Sequence, residues 1–220
     1  MSAKLGEQQR LRISEIFYSL QGESRSAGWP TVFIRLTGCP LRCAYCDTEY
    51  AFQGGEWMSL DEILAQTAGF TPHYVTVTGG EPLAQKNCLP LLQQLCDADY
   101  AVSLETSGAL DIAEVDPRVT VVMDLKTPSS GEESKNRYLN IGELKSTDQI
   151  KFVLGDRADY DWARAKLDEY DLTQRCEVLF SPVKDALSAT DLANWILADG
   201  LQVRMQIQLH KLLWGEEPGR

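Results

Sequence analysis

Short apolar runs rich in β-branched residues alternate with segments of helical pattern, and this alternation constrains the fold more than any other feature of the chain. Several of the runs are almost continuously hydrophobic, as strands buried on both faces of a parallel sheet are. The predicted strands cover residues 31–36, 74–78, 100–105, 119–125, 150–154, 176–180 and 201–207.

Four helices are predicted between these runs. The sequence Ser-Leu-Asp-Glu at 59–62 is a capping-box pattern that opens a helix ending near Gly69. Further helices are predicted over 89–98, 156–170 and 188–200. Alternating strands and helices are typical of an α/β fold built from βα units. With about seven strands, an incomplete (β/α)-type barrel with mostly parallel strands, or an open sheet, is favoured over a closed eightfold barrel.

Composition narrows the class of function. A chain of 220 residues predicts one domain spanning residues 1–220. No apolar run approaches the roughly 20 residues that span a bilayer, and residues 1–10 are polar without a signal core, so a cytoplasmic protein is expected. The 21 basic and 32 acidic residues leave a net charge of −11, which favours a small-molecule substrate or a protein partner over nucleic acid.

Cys39, Cys43 and Cys46 have the spacing C-x3-C-x2-C and can surround one metal centre. Structural zinc takes four protein ligands, and a cubane iron–sulfur cluster expects four thiolates. Three cysteines without an obvious fourth ligand therefore predict a cluster with one iron left open. The alternative is a zinc site completed by His73 or His210, in a non-catalytic interaction protein.

The other three cysteines are expected to be structural. Cys88, Cys96 and Cys176 stand among apolar neighbours, and thiols stay reduced in the cytosol. They are predicted to be buried free cysteines that act as small hydrophobic residues.

Polar motifs follow several predicted strands, and ligands of parallel βα folds bind at such strand ends. Besides the cysteines, these motifs lie at 78–82, 105–108 and 124–126. Gly79 and Gly80 are predicted to let the backbone approach a ligand, and Glu81 to accept from an ammonium group. A plain turn is the alternative. The polar stretch 127–136 is predicted to be a mobile loop.

Together these motifs resemble the radical S-adenosylmethionine superfamily, whose mark includes an aromatic residue before the last cysteine, here Tyr45. The resemblance implies a catalytic 4Fe–4S cluster on Cys39, Cys43 and Cys46, whose open iron binds S-adenosylmethionine. One electron then yields a 5′-deoxyadenosyl radical that takes hydrogen from the substrate. The cofactor-binding residues implied are Tyr45, Cys46, Asp47, Gly79, Gly80, Glu81, Ser107, Asp124, Leu125 and Lys126.

Four more segments, at 17–24, 33–36, 46–48 and 208–211, resemble the 7-carboxy-7-deazaguanine synthase family over residues 12–214. This resemblance implies radical ring contraction of 6-carboxy-5,6,7,8-tetrahydropterin to 7-carboxy-7-deazaguanine with loss of ammonia, in queuosine biosynthesis. It also implies Mg²⁺ on Thr48, a homodimer and an external flavodoxin- or ferredoxin-like reductant. The substrate contacts implied are Leu20, Gln21, Gly22, Glu23, Arg35, Thr78 and His210.

Some of these residues also have purely structural interpretations. Arg35 can clamp a carboxylate through two hydrogen bonds or pair with a nearby acid, and Thr48 can simply stabilise a turn. A glycyl-radical enzyme activase would use the same cluster, but it has no use for Gln21 and His210. Ser24 stands where the family resemblance leads one to expect glycine.

Overall fold

A computed structural model describes residues 9–215, 217 and 219 of the chain. The polar segment 1–8, part of the stretch expected to lack a signal core, lies outside the described residues. The strands are β1 Arg10–Leu20, β2 Pro30–Leu36, β3 Glu56–Ser59, β4 Tyr74–Gly79, β5 Ala101–Thr106, β6 Thr120–Asp124, β7 Gln149–Leu154, β8 Glu177–Pro182 and β9 Arg204–Met205. The α-helices are α1 Leu60–Ala68, α2 Cys88–Asp97, α3 Arg157–Glu169, α4 Leu172–Arg175, α5 Ala189–Asp199 and α6 Leu209–Trp214.

All nine strands of the described chain form one sheet in the order β3-β1-β2-β4-β5-β6-β7-β8-β9. From β2 to β9 every neighbouring pair is parallel, whereas β1 pairs antiparallel with both β2 and β3. The order does not return on itself, so the barrel is incomplete. The predicted fold class, a mostly parallel incomplete barrel of βα units, is confirmed.

Two strands were missed by the sequence analysis and one was overestimated. In β1 the early residues alternate between exposed and buried, so it lacks the continuous apolar run of a central strand. The edge strand β3 has only four residues. The strand predicted over 201–207 is reduced to two residues at the opposite edge, because polar side chains at 202, 204 and 206 suit a solvent-facing edge.

The four predicted helices are present, with ends within a residue or two of those expected. The capping box of α1 is formed: Ser59 Oγ accepts from the Glu62 amide at 3.3 Å, and Glu62 accepts from the Ser59 amide at 2.7 Å. Helix α5 ends at Gly200, whose φ of +60° is the left-handed conformation that favours glycine. The short helices α4 and α6 were not predicted. Among the described residues no helix has the length and apolarity to cross a membrane.

The hydrophobic core has two parts, both built by helices packed against the sheet. One joins α1 and α2 to β1, β2, β4 and β5, and the other joins α3 and α5 to β6, β7 and β8. Cys88 and Cys96 belong to the first part and Cys176 to the second. All three are buried and free, as predicted, and burial raises the pKa of the Cys176 thiol to about 11.

Residues 21–28, here called the crossing loop, lie between β1 and β2 in the chain and reach the far strands of the sheet. Gln21 donates to Thr76 of β4 at 3.1 Å. The Arg25 amide donates to Gln149, and its guanidinium lies 3.4 Å from Glu177. Because Gln149 and Glu177 are the first residues of β7 and β8, the crossing loop spans the interior of the incomplete barrel from that side.

The stretch 127–136, predicted to be a mobile loop, forms two short 3₁₀ turns at Pro128–Ser130 and Glu133–Lys135. It hydrogen-bonds to α3 on one side and to the cysteine-containing segment on the other. It is therefore a structured connection between two parts of the molecule.

Candidate active site

A cavity of about 700 Å³ lies between the crossing loop and the cysteine-containing segment 37–48, here called the cysteine loop. Its volume is within the roughly 300–1,000 Å³ usual for small-molecule sites. Every site residue predicted from the sequence lines it except Glu81 and Leu125. The predicted residues on its wall are Leu20, Gln21, Gly22, Glu23, Arg35, Cys39, Cys43, Tyr45, Cys46, Asp47, Thr48, Thr78, Gly79, Gly80, Ser107, Asp124, Lys126 and His210.

The three cysteines of the loop are free, half-buried and directed at the same cavity. Burial raises the pKa of each thiol, and the positive charge of Lys126 opposes that effect. No three His, Cys, Asp or Glu side chains of the described residues converge on a point where one ion could bind. A 4Fe–4S cluster does not require such convergence, because each thiolate binds its own iron. The three thiols at one cavity wall fit a cluster.

The zinc alternative loses one of its proposed ligands. His73 immediately precedes β4, with its ring edge-on to Tyr74 at a centroid distance of 4.7 Å. The cysteine loop leaves the sheet at the opposite, carboxyl end of β2, and β2 and β4 are parallel. His73 is therefore about a strand's length from the thiols. His210 lines the cavity and packs beside Gly22.

Gly79, the last residue of β4, and Gly80 allow close backbone packing within the protein, and their predicted approach to a ligand stays a prediction. A side chain at Gly79 would put its Cβ 2.3 Å from the Leu36 carbonyl oxygen, and one at Gly80 would put it 2.3 Å from that of Gly38. The φ of +156° at Gly79 is one that L-residues rarely adopt. These glycines let the β4 end and the cysteine loop touch, and they still line the cavity.

Glu81 is buried and its carboxylate is used within the protein. It accepts from the Thr106 hydroxyl at 3.0 Å and from the Ser107 amide at 2.7 Å, and it also caps the 3₁₀ turn through the Leu83 amide. It does not line the cavity, and its predicted contact with an ammonium group stays a prediction. It joins the ends of β4 and β5. Leu125 is likewise fully buried and off the cavity wall.

Four charged side chains on the cavity wall form a row of ion pairs. Lys151 of β7 lies 2.5 Å from Glu23 and 3.7 Å from Asp124, and Lys126 lies 2.9 Å from Asp124. Burial lowers the pKa of both lysines, but the neighbouring carboxylates outweigh it and the pKa values are raised. Both lysines stay charged. Asp124 Oδ1 is buried without a hydrogen-bond partner among the described residues, as an acceptor reserved for a ligand would be.

Hydrogen bonds of its hydroxyl fix the position of the Tyr45 side chain. It lies 3.2 Å from the Thr127 hydroxyl and donates to the Val153 carbonyl oxygen at 3.2 Å. Burial raises the pKa of Tyr45 to about 12, so the phenol is neutral. The ring forms part of the wall next to Cys46, where the family resemblance places the adenine of the cofactor.

Arg35 forms the ion pair that was its alternative role, and its carboxylate-binding role stays a prediction. Its Nε donates to Glu15 at 2.7 Å, and Glu15 also accepts from the Tyr50 hydroxyl at 2.7 Å. The guanidinium carbon lies 5.9 Å from the ring centres of Phe17 and Tyr50. No described residue accepts from its two terminal nitrogens, so the ion pair orients the group and leaves one edge for a carboxylate.

Glu105 is a site residue that the sequence analysis did not assign. It accepts from the Thr78 hydroxyl at 2.9 Å and from Gln21 at 3.2 Å, and it lines the cavity. Burial raises the pKa of this carboxyl. An acid inside an otherwise apolar strand pattern was the signal that could have identified it.

The carboxyl-terminal segment 206–215 lies across the cavity mouth. Lys211 donates to Asp47 at 2.8 Å, and Gln208 donates to Glu23 at 2.7 Å. Burial raises the pKa of Asp47, but the adjacent Lys211 outweighs it and the net pKa is lowered. Burial lowers the pKa of His210, which favours a neutral imidazole.

Lys151, Glu15, Gln208 and Lys211 also line the cavity and were not predicted. Lys151 could have been suspected as a lysine in a central strand, and Gln208 and Lys211 belong to the segment 208–211 that carries the family resemblance. Glu15 has no sequence signal of its own. Ser24 has a φ of +66°, so the position expected to be glycine does adopt the left-handed conformation, and its amide donates to Gln206 at 2.8 Å.

Comparisons with known proteins agree with this geometry. The family model described as "Radical SAM superfamily" matches residues 33–142. The chain is 45% identical to the 7-carboxy-7-deazaguanine synthase of Chlorobaculum tepidum, with 94% of this chain and 96% of that protein covered. It is 44% identical to the 7-carboxy-7-deazaguanine synthase of Koribacter versatilis, with 94% and 98% covered.

Among solved structures, the chain is similar to QueE from Escherichia coli, with a TM-score of 0.76 and 26% identity over 96% of this chain and 100% of that one. It also resembles SuiB of Streptococcus suis bound to S-adenosylmethionine, with a TM-score of 0.53 and 15% identity over 77% and 44%. The second likeness concerns the fold alone.

Proposed function

The chain belongs to the radical S-adenosylmethionine superfamily and, within it, to the 7-carboxy-7-deazaguanine synthases, and on that premise we propose that it converts 6-carboxy-5,6,7,8-tetrahydropterin to 7-carboxy-7-deazaguanine with release of ammonia. The observation that carries the proposal is one cavity that joins three free thiols to a wall of carboxylate, amide and guanidinium groups.

Cys39, Cys43 and Cys46 would hold the cluster, because they are the three thiols on the cavity wall. When bound, the cluster and S-adenosylmethionine supply the radical that removes hydrogen from the substrate. Asp124 and Lys126 would bind the polar groups of the cofactor, since the unpaired Asp124 Oδ1 is an acceptor without a protein donor. Residues Gly79, Gly80, Ser107 and Tyr45 line the same part of the cavity.

Arg35 would bind the substrate carboxylate. Its Nε is occupied by Glu15, so the guanidinium cannot rotate freely, and its terminal nitrogens can form two parallel hydrogen bonds. The rings of Phe17 and Tyr50 beside it reduce competition from water. This arrangement orients the acid end of the pterin before any chemistry begins.

The opposite edge of the pterin carries adjacent N–H donors, and Glu105 and Glu23 are the acceptors that suit them. Gln21 and Thr78 fix the Glu105 carboxylate, and Lys151 fixes that of Glu23. Leu20, Gly22 and the neutral His210 complete the substrate wall. The volume of about 700 Å³ and the charged groups on the wall suit a small heterocycle better than the peptide that a glycyl-radical enzyme activase would require.

Thr48 would supply one oxygen to Mg²⁺, together with the substrate carboxylate, both being the hard ligands that this ion prefers. In the structure the Thr48 hydroxyl donates to Asp47 at 2.8 Å, which leaves its oxygen lone pairs for a cation. The proposal further includes a flavodoxin- or ferredoxin-like electron donor and a homodimer, both supported by the family resemblance. It also includes a cytoplasmic location, which the polar composition of the amino-terminal residues supports.

Anaerobic reconstitution tests the proposal. The full chain is loaded with iron and sulfide, then incubated with S-adenosylmethionine, a reductant and the carboxypterin. Mass spectrometry should detect the deazaguanine, with one ammonia released for each product molecule. Reactions without the pterin or without S-adenosylmethionine serve as controls. Protein that carries zinc without sulfide, or a loaded cluster that leaves the pterin unchanged, would contradict the proposal.

A further inference from the structure

Asp159, in the first turn of α3, is a buried carboxylate that lies outside the cavity and is only 1% exposed. Its Oδ1 accepts from the Ser129 amide at 2.9 Å. Its Oδ2 accepts from the Thr127 hydroxyl at 3.1 Å, from the Gly155 amide at 2.8 Å and from the Ser129 hydroxyl. A buried carboxylate that accepts from four donors stabilises the segments that carry those donors.

The 3₁₀ turn Pro128–Ser130 supplies two of these donors, both from Ser129. The first amides of such a turn have no hydrogen-bond acceptor within the turn itself. The preceding Thr127 makes no side-chain capping bond, so the Ser129 amide depends on Asp159. Gly155 permits the approach, because a Cβ there would lie 2.7 Å from Ser129 Oγ. The turn is therefore fixed by α3 and by the end of β7.

The same turn and the residues after it hold the cysteine loop. The Ala44 amide donates to the Ser130 carbonyl oxygen at 2.9 Å, and the Tyr45 hydroxyl lies 3.2 Å from that of Thr127. The Arg42 amide donates to Glu132 at 2.6 Å. Arg42, Ala44 and Tyr45 all lie between Cys39 and Cys46 in the chain. The position of the thiols therefore depends on residues 127–132.

We propose that Asp159 is a positioning residue for the iron–sulfur cluster: by fixing residues 127–132 it fixes the loop that presents the three thiolates. The inference rests on the proposed function, because it presupposes a cluster on Cys39, Cys43 and Cys46. It assigns a role to the polar stretch 127–136, which neither the fold nor the substrate chemistry explains. Partners behind a metal ligand commonly alter metal affinity or activity by roughly 10–100-fold when they are removed.

Asp159→Asn in the full, reconstituted enzyme tests this role. The amide nitrogen cannot accept from the Gly155 amide, so that hydrogen bond is lost without a change of size. The Thr127 and Ser129 hydroxyls can stay bonded to it only by accepting where they now donate. A chelator should remove iron from the variant about tenfold faster or more than from the unaltered protein. The electron paramagnetic resonance spectrum of the reduced cluster should also shift or broaden. Thr127→Val removes the hydroxyl that lies between Asp159 and Tyr45 and leaves the bonds of Asp159 to Ser129 and Gly155 in place, so it should produce a smaller change in the same direction.

Two control variants separate positioning from general stability. Asp161→Asn makes the same substitution on the exposed side of α3, and Ser188→Ala removes the cap of the separate helix α5 at a cost of about 1 kcal/mol. Both should keep the spectrum and the iron-release rate unchanged.

Asp159→Asn with an unchanged spectrum and release rate would overturn the inference. If that variant does not fold, Thr127→Val decides, and its behaving like the unaltered protein overturns the inference as well. An unaltered protein that assembles no cluster would instead refute the proposed function, so the two failures are distinguishable.

Discussion

The two sides of the cavity are built in opposite ways. On the cofactor side, short contiguous motifs after β2, β4 and β6 supply the thiols, the glycines and the Asp124–Lys126 pair. On the substrate side, the groups come from separate places in the chain: Glu105 from β5, Lys151 from β7, and Gln208 from the segment before α6. The first side is local in sequence, and the second exists only when distant elements meet.

This difference predicts how substitutions act. A substitution on the cofactor side removes a side chain that binds the cluster or the cofactor. It should abolish cofactor binding while the fold remains. A change on the substrate side disturbs hydrogen-bonded charges that also connect elements, so it should alter binding and stability together. Four substitutions test this contrast, beginning with the largest expected effect.

Cys43→Ala should abolish the cluster and turnover, because a three-thiolate site has no spare ligand. Iron and sulfide analysis after anaerobic reconstitution measures the loss, and the thermal midpoint before reconstitution should stay within a few degrees. Cys88→Ala is the matched control: it removes a buried thiol outside the cavity and should keep the cluster. Turnover that survives Cys43→Ala would remove the thiols from the catalytic centre.

Lys151→Met should lower the free energy of unfolding by about 3–5 kcal/mol, since Glu23 and Asp124 would lose a buried cation. Urea unfolding measures this loss. The double variant Lys151→Met with Glu23→Gln removes an orphaned carboxylate and should recover part of it. Lys151 contacts both sides of the cavity. An effect on substrate binding without a loss of stability would therefore contradict the expectation that the two change together.

Arg35→Met should raise the KM for the carboxypterin by roughly 10–100-fold, the equivalent of about 1.5–3 kcal/mol for hydrogen bonds to a charged group. Cluster content should be unchanged, since Arg35 touches no cysteine. Arg118→Met, which removes a surface arginine paired with Asp97 and Asp116, is the control. An unchanged KM would take Arg35 out of the substrate site.

Lys211→Met should cost only about 0.2–1 kcal/mol, because the pair with Asp47 is partly exposed and screened by solvent. The lowered pKa of Asp47 means that the pair contributes above the ordinary carboxyl pKa and is lost only as the pH falls through the lower, folded value. Urea unfolding from pH 5 to 8 should show a constant difference between the variant and the unaltered protein. A difference that changes across this interval would show that another group titrates with the pair.

Most residues that the sequence assigns to the cofactor do line the cavity, because their motifs are contiguous and sit at strand ends. Six of the seven predicted strands and all four predicted helices are present, since a buried parallel sheet leaves a continuous apolar signal. The misses share a cause. Glu15 and Glu105 acquire their hydrogen-bond partners only through long-range packing. The bonds of Glu81 to Thr106 and Ser107 form in the same way, and its ligand role stays a prediction.

The crossing loop also bears on the order in which the protein folds. Its bonds from Arg25 to Gln149 and to Glu177 join residues separated by 124 and 152 positions, so they form only after β7 and β8 exist. The β1–β2 hairpin needs none of these partners. During synthesis the cavity is consequently among the last parts of the molecule to be completed, and a chain interrupted before β8 would lack it.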